Sequence, residues 1–172
     1  GTVSRIQVGN VATSASGVAG IDFCPSNKIQ GSRIECQASE DFSTSANRTA
    51  DLVFFTRSNG TSAEKVRITS IGNVGIGTDN PQKQLQILGD ADTCLRITSS
   101  AGGAASLQLG DTSDTVKGAI TFLNSDNSLR IRGYNNDDRM VITSAGHVGI
   151  NENSPIHQLS IGINTSTAYT TS

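Results

Sequence analysis

The chain has 172 residues and a formal net charge of −2, room for one ordinary domain or two small ones. Ser, Thr, Gly and Asn supply 71 of the 172 residues, Ile and Val outnumber Leu by 26 to 9, and Glu occurs four times; this favours pleated, half-buried surfaces and sets aside helical enzymes, coiled coils and doubly wound α/β folds. The 13 basic residues are scattered, seven aromatics are few for stacking bases, and the longest apolar stretch, Leu52-Val-Phe-Phe55, is too short for a bilayer, so nucleic-acid binding and membrane insertion are set aside too.

In chain order, Gly1-Thr-Val-Ser-Arg5 carries neither an initiator Met nor a signal peptide, which reads as a chain that begins inside a longer polypeptide or after processing. Short apolar stretches at 6–8, 20–23, 32–36, 51–55 and 65–68, separated by Gly, Ser, Asn and Asp, predict five strands. Gly72 is placed in a tight turn that wants positive φ, and Val74 and Ile76 share one face around Gly75, whose missing side chain lets another backbone approach. Pro81 fixes a further turn, and 85–87 adds a last strand. A second series runs through 95–97, 106–109, 119–122, 129–131 and 140–142. It then passes a turn at Gly146, a Val-Gly-Ile strand around Gly149, a turn at Pro155 and a strand at 159–161.

The two series end in a repeat. Residues 68–87 align without gaps on 142–161, an offset of 74, with 11 of 20 positions identical, among them the turn glycines, Gly75/Gly149 and Pro81/Pro155. A repeated structural unit explains coincident Gly, Pro and apolar positions. The division is therefore a first β unit at 1–88, a second at 89–162, and a polar connector at 163–172 that looks truncated.

Ile, Val, Leu and Phe make up 40 of the 172 residues, which is thin for two self-contained cores. A flat sheet of this sequence also leaves open edges. Winding three identical chains about one axis shares the interior and pairs the edges, with glycines near the axis and β-branched residues inside. The expected fold is all-β: an elongated fibrous homotrimer of short strands, an intertwined β-prism or triple β-helix, in two tandem repeat units.

The strings Arg67-Ile-Thr-Ser-Ile-Gly-Asn-Val-Gly-Ile-Gly-Thr-Asp-Asn-Pro-Gln-Lys-Gln-Leu85 and Met140-Val-Ile-Thr-Ser-Ala-Gly-His-Val-Gly-Ile-Asn-Glu-Asn-Ser-Pro-Ile-His-Gln-Leu159 resemble the stalk repeats of bacteriophage tail fibres and related virion appendages. The second departs from that pattern at Asn151, where Gly is usual, as at Gly77 in the first. The resemblance implies a structural protein of a virion fibre, assembled in the host cytoplasm, with two further copies of itself and other virion proteins as partners. No chaperone domain or Ser/Lys autocleavage dyad is recognisable, so self-processing is not carried over.

Cys24, Cys36 and Cys94 form no zinc spacing and read as small hydrophobic thiols, with a Cys24–Cys36 bridge across a hairpin as the alternative. His147 and His157 lie ten residues apart and read as turn residues rather than metal ligands. The acidic groups at 90–92, 111–114 and 135–138 lack the calcium-loop pattern and read as Asx turns. Asn47, Asn59 and Asn164 head chance glycosylation sequons, and no cofactor is expected. A nucleophile–base pair is not found, and no spacing argues for the two carboxylates about 5 Å apart of a retaining glycosidase. The expected role is thus a non-enzymatic spacer that presents a host-receptor-binding region. One alternative is a module that binds host-surface glycan through an exposed loop of Tyr134, Asn135, Asn136, Asp137 and Asp138; a second is a polysaccharide-cutting tailspike.

Overall fold

The computed structural model describes residues 7–9, 17–43 and 45–162, without the side chains of Asn47 and Asn136. The chain divides into two compact units between Cys94 and Leu95. In the first, β1 (Val18–Phe23), β2 (Ser32–Ala38), β3 (Ala50–Ser58), β4 (Thr61–Ile68), β5 (Val74–Ile76) and β6 (Leu85–Ile87) lie side by side in sequence order. In the second, β7 (Ala104–Leu109), β8 (Gly118–Leu123), β9 (Ser128–Arg132), β10 (Asp138–Ile142), β11 (Val148–Ile150) and β12 (Leu159–Ile161) do the same. The protein is all-β, and no α-helix occurs among the described residues.

Two expected strands differ. Residues 95–97 form none: Leu95 and Ile97 are exposed and no strand pairs with them, so the second sheet starts at β7. Gln7 and Val8 are likewise outside any strand, while Ile6 and the connector at 163–172 lie outside the described residues.

Neighbouring strands are antiparallel up to β5 and β11, and the last pair of each sheet, β5/β6 and β11/β12, is parallel. Parallel neighbours ordinarily need a crossover of about a dozen residues. Here residues 77–84 suffice, because Gly77 leaves β5 at φ +75°, Pro81 is buried inside the loop, and Val74 N–H donates to the Gln84 carbonyl at 2.8 Å.

The repeat holds bond for bond. Arg67 faces Gly75 as Val141 faces Gly149, and Ile76 faces Ile87 as Ile150 faces Ile161. Gly72 N–H donates to Thr69 O and Gly146 N–H to Thr143 O, both glycines having φ above +80°. Asn151 departs in residue type but not in backbone: its φ of +54° is left-handed like that of Gly77, and Asn is the residue that best tolerates it after glycine.

Candidate interaction surface

Each sheet has two unlike faces, and the register shows what each carries. In the first unit one ladder row runs Ile21, Ile34, Phe54, Val66, Ile76, Ile87, and the next row on that face runs Ala19, Cys36, Leu52, Ile68, Val74, Leu85. In the second the rows are Leu107, Ile120, Ile131, Met140, Ile150, Ile161 and Ala105, Phe122, Leu129, Ile142, Val148, Leu159. All 24 side chains are apolar or, for Cys36, a thiol, and none is buried within the chain; Leu159 and Ile161 are 59% and 64% exposed. With strands about 4.8 Å apart and side chains on one face about 6.8 Å apart, each strip covers on the order of 400 Å². A patch of roughly 300–600 Å² is the largest on a typical monomer and is often functional.

The opposite face is polar, yet it holds the buried residues. Its central row in the first unit is Gly20, Glu35, Val53, Arg67, Gly75, Gln86. Val53 is fully buried, as is Val141 to within 1% in the second unit, where Ala119 is buried too. Arg67 faces Val53 across the ladder, with its guanidinium on Glu64 Oε2 (2.6 Å), Asp51 Oδ2 (2.7 Å) and Gln37 Oε1 (3.0 Å). The hydrogen bond to Glu64 leads in raising its pKa further above the usual guanidinium value, against burial. Arg130 does the same in the second unit, bonded to Asp138 and, at 2.6 Å, to Asp126 Oδ2; Arg132 Nε adds a 2.8 Å contact to Asp138 Oδ1. Burial opposes the Arg130 charge, and the bonds to the two aspartates more than reverse it.

The glycines of the Val-Gly-Ile strands belong to this polar face. A Cβ on Gly75 would stand 2.4 Å from Thr78 O and one on Gly149 2.1 Å from Glu152 O, with Pro81 Cγ and Pro155 Cγ just beyond. The sequence reading places such glycines near a shared axis; the element that approaches them is the chain's own following loop, on the side away from the apolar rows. His147 takes the place of Asn73 in the fold as well: Asn73 Nδ2 donates to Pro81 O at 3.0 Å, and His147 Nδ1 sits 3.0 Å from Pro155 O. A carbonyl only accepts, so Nδ1 carries the proton. The part-buried ring therefore holds the loop rather than standing free in a turn.

The Tyr134–Asp138 group is divided between a turn and the start of β10. Tyr134 is 62% exposed, Asn135 adopts a left-handed φ of +61°, Asp137 points outward, and the turn closes through Gly133 N–H to Asp137 O at 2.9 Å. Asp138 opens β10, and its carboxylate is turned in to Arg130 and Arg132. Asp111 collects Ser113 N–H and Oγ and Asp114 N–H as an Asx turn, with Lys117 Nζ beside it. That Lys117 bond first, then those of Ser113, hold its carboxyl well below the usual range. Cys24, Cys36 and Cys94 are free thiols. Among the described residues no three His, Cys, Asp or Glu are grouped to hold a metal, and no helix is long and apolar enough to cross a membrane.

The aspartates of these networks give a pH expectation. Asp126 is held below the ordinary carboxylate range, chiefly by Ser128 Oγ and then by Arg130. A carboxyl lowered in the fold stabilises it above its unfolded value of about 4 and loses that contribution as pH falls through the folded value. Thermal melting of the chain is expected to be flat from about pH 7 to about pH 5 and to fall below about pH 4. Asp126→Asn should reduce that fall; an unchanged acid limb would contradict the assignment.

Scans against models of known protein families and against curated proteins find no match to this chain.

Proposed function

We propose that the chain is a structural segment of a bacteriophage fibre, a homotrimer whose apolar sheet strips face one another about a common axis and which spaces or presents a host-receptor-binding region. The observation that carries this reading is the pair of complete apolar rows crossing all six strands of both sheets, with none of their side chains buried among the described residues. Two strips of on the order of 400 Å² give about 800 Å² per chain, the area each partner contributes to a standard stable interface.

The width of the strip argues for three copies over two. The two rows that cross all six strands make a strip two side chains wide, so a two-layer sandwich of such strips leaves their side chains at a wet rim. Three strips closed into a triangular prism flank each side chain on both sides. The strands then run across the axis, and the ion-paired faces with their loops look outward. The likeness to fibre stalk repeats supports the viral setting. In this reading the other partners are further virion proteins, assembly takes place in the host cytoplasm, and the segment performs no chemistry.

A second reading, a module for host-surface glycan, is favoured by one feature, the 62% exposed Tyr134 on a left-handed turn. Sedimentation of the protein with host envelope fragments separates the two. A spacer remains in the supernatant, and Tyr134→Ala changes neither that nor the oligomeric state. Saturable retention lost in Tyr134→Ala would overturn the spacer reading in favour of the module.

A further inference from the structure

The two units differ at one ladder position by a transposition. In the first, Val53 on β3 faces Arg67 on β4; in the second, Arg130 on β9 faces Val141 on β10. The strand pairs are equivalent, since Leu52 faces Ile68 as Leu129 faces Ile142, and Phe54 faces Val66 as Ile131 faces Met140. Arginine and valine have thus changed places across the ladder while every apolar neighbour kept its kind. The carboxylates moved with them: Arg67 takes Asp51 from β3 and Glu64 from its own strand, whereas Arg130 takes Asp138 from β10 and Asp126 from the turn before its own strand.

Tandem repeats risk pairing the strand of one with the cassette of the other, within a chain or between copies. Here the apolar rows offer little protection, because they are interchangeable, and the cassettes share 11 of 20 residues. We propose that the Arg/Val transposition is a pairing code that keeps each cassette on its own unit. A β3·β10 hybrid sets Val53 against Val141, leaves a void, and strands Asp51 without Arg67 and Asp138 without Arg130 and Arg132. A β9·β4 hybrid sets Arg130 against Arg67, two like charges directly opposite each other. Each native pair has one of each; each hybrid has two of a kind. The specificity comes from penalising the wrong pair rather than from strengthening the right one.

The code can be erased and rewritten. In a full-length chain with Cys24, Cys36 and Cys94 replaced, Phe54→Cys and Met140→Cys report the β3·β10 hybrid, since natively these positions face Val66 and Ile131. The chain is refolded from denaturant under oxidising conditions, and the fraction carrying the 54–140 disulfide is read by proteolysis and mass spectrometry. Val53→Arg with Arg67→Val makes both units alike and should raise that fraction at least fivefold. Adding Arg130→Val with Val141→Arg makes them unlike again and should return it to the level of the parent. Equal fractions in all three chains, or a four-substitution chain as cross-linked as the two-substitution one, would overturn the proposal. A two-substitution chain that fails to refold without raising the 54–140 link overturns it as well, because the damage is then to the native pair alone.

Discussion

Gly149→Val is expected to unfold the cassette of the second unit, lowering stability by about 3 kcal/mol or more through overpacking and backbone strain. The added Cβ falls 2.1 Å from the Glu152 carbonyl oxygen and 3.3 Å from Pro155 Cγ. A backbone carbonyl cannot swing aside as a flexible side chain does, so loop 151–158 has to lift off β11. That removes the bond from Val148 N–H to Gln158 O and the contact of His147 Nδ1 with Pro155 O. Since the collision is made by Cβ itself, Gly149→Ala is expected to do nearly the same damage. The denaturant midpoint checks the size of the effect, and hydrogen exchange at the Val148 amide checks its place. An alanine variant within about 0.5 kcal/mol of the parent, the range of an ordinary surface change, would show that the loop does not lie over this glycine.

The second large effect is expected at Arg130. Arg130→Met keeps the aliphatic stem but removes the guanidinium from Asp138, whose carboxylate is largely buried and keeps only Arg132. Leaving a buried charge short of its partner costs about 3–5 kcal/mol where burial is complete; with Arg132 still in place the lower end, about 3 kcal/mol, is expected. Arg139→Met, which breaks the exposed 3.5 Å pair with Asp137, should cost no more than about 0.5 kcal/mol. Chemical unfolding of the two variants side by side gives the comparison, and equal losses would contradict the network as described.

The strands were legible because they are short, alternating and punctuated by Gly, Asn and Asp. The offset of 74 then carried one unit's register onto the other, down to Gly72/Gly146 and Pro81/Pro155. What the sequence left dark is side-chain direction. Residues 95–97 alternate as a strand does, but a strand exists only where a neighbour accepts its hydrogen bonds, and local pattern does not supply one. Asp138 sits among polar turn residues and reads as part of an exposed loop. Its inward aim depends on Arg130 and Arg132, which become its neighbours only through the antiparallel register of β9 and β10. The polar network had a faint signal, a Val and an Arg in equivalent places of two aligned repeats, each with carboxylates a few residues away. The inversion of the faces had none: apolar rows predict a core, and nothing in the chain says that the glycines and prolines turn to the other side.

In the proposed fibre the two apolar strips are covered by copies of the same chain. Sedimentation equilibrium of the protein at micromolar concentration tests it most directly, with Ile131→Asp as the companion variant because Ile131 stands mid-row on the strip. A homotrimeric fibre segment gives a mass of three chains for the parent and a single chain for Ile131→Asp. A parent that sediments as a monomer, or a trimer that Ile131→Asp leaves intact, would contradict it.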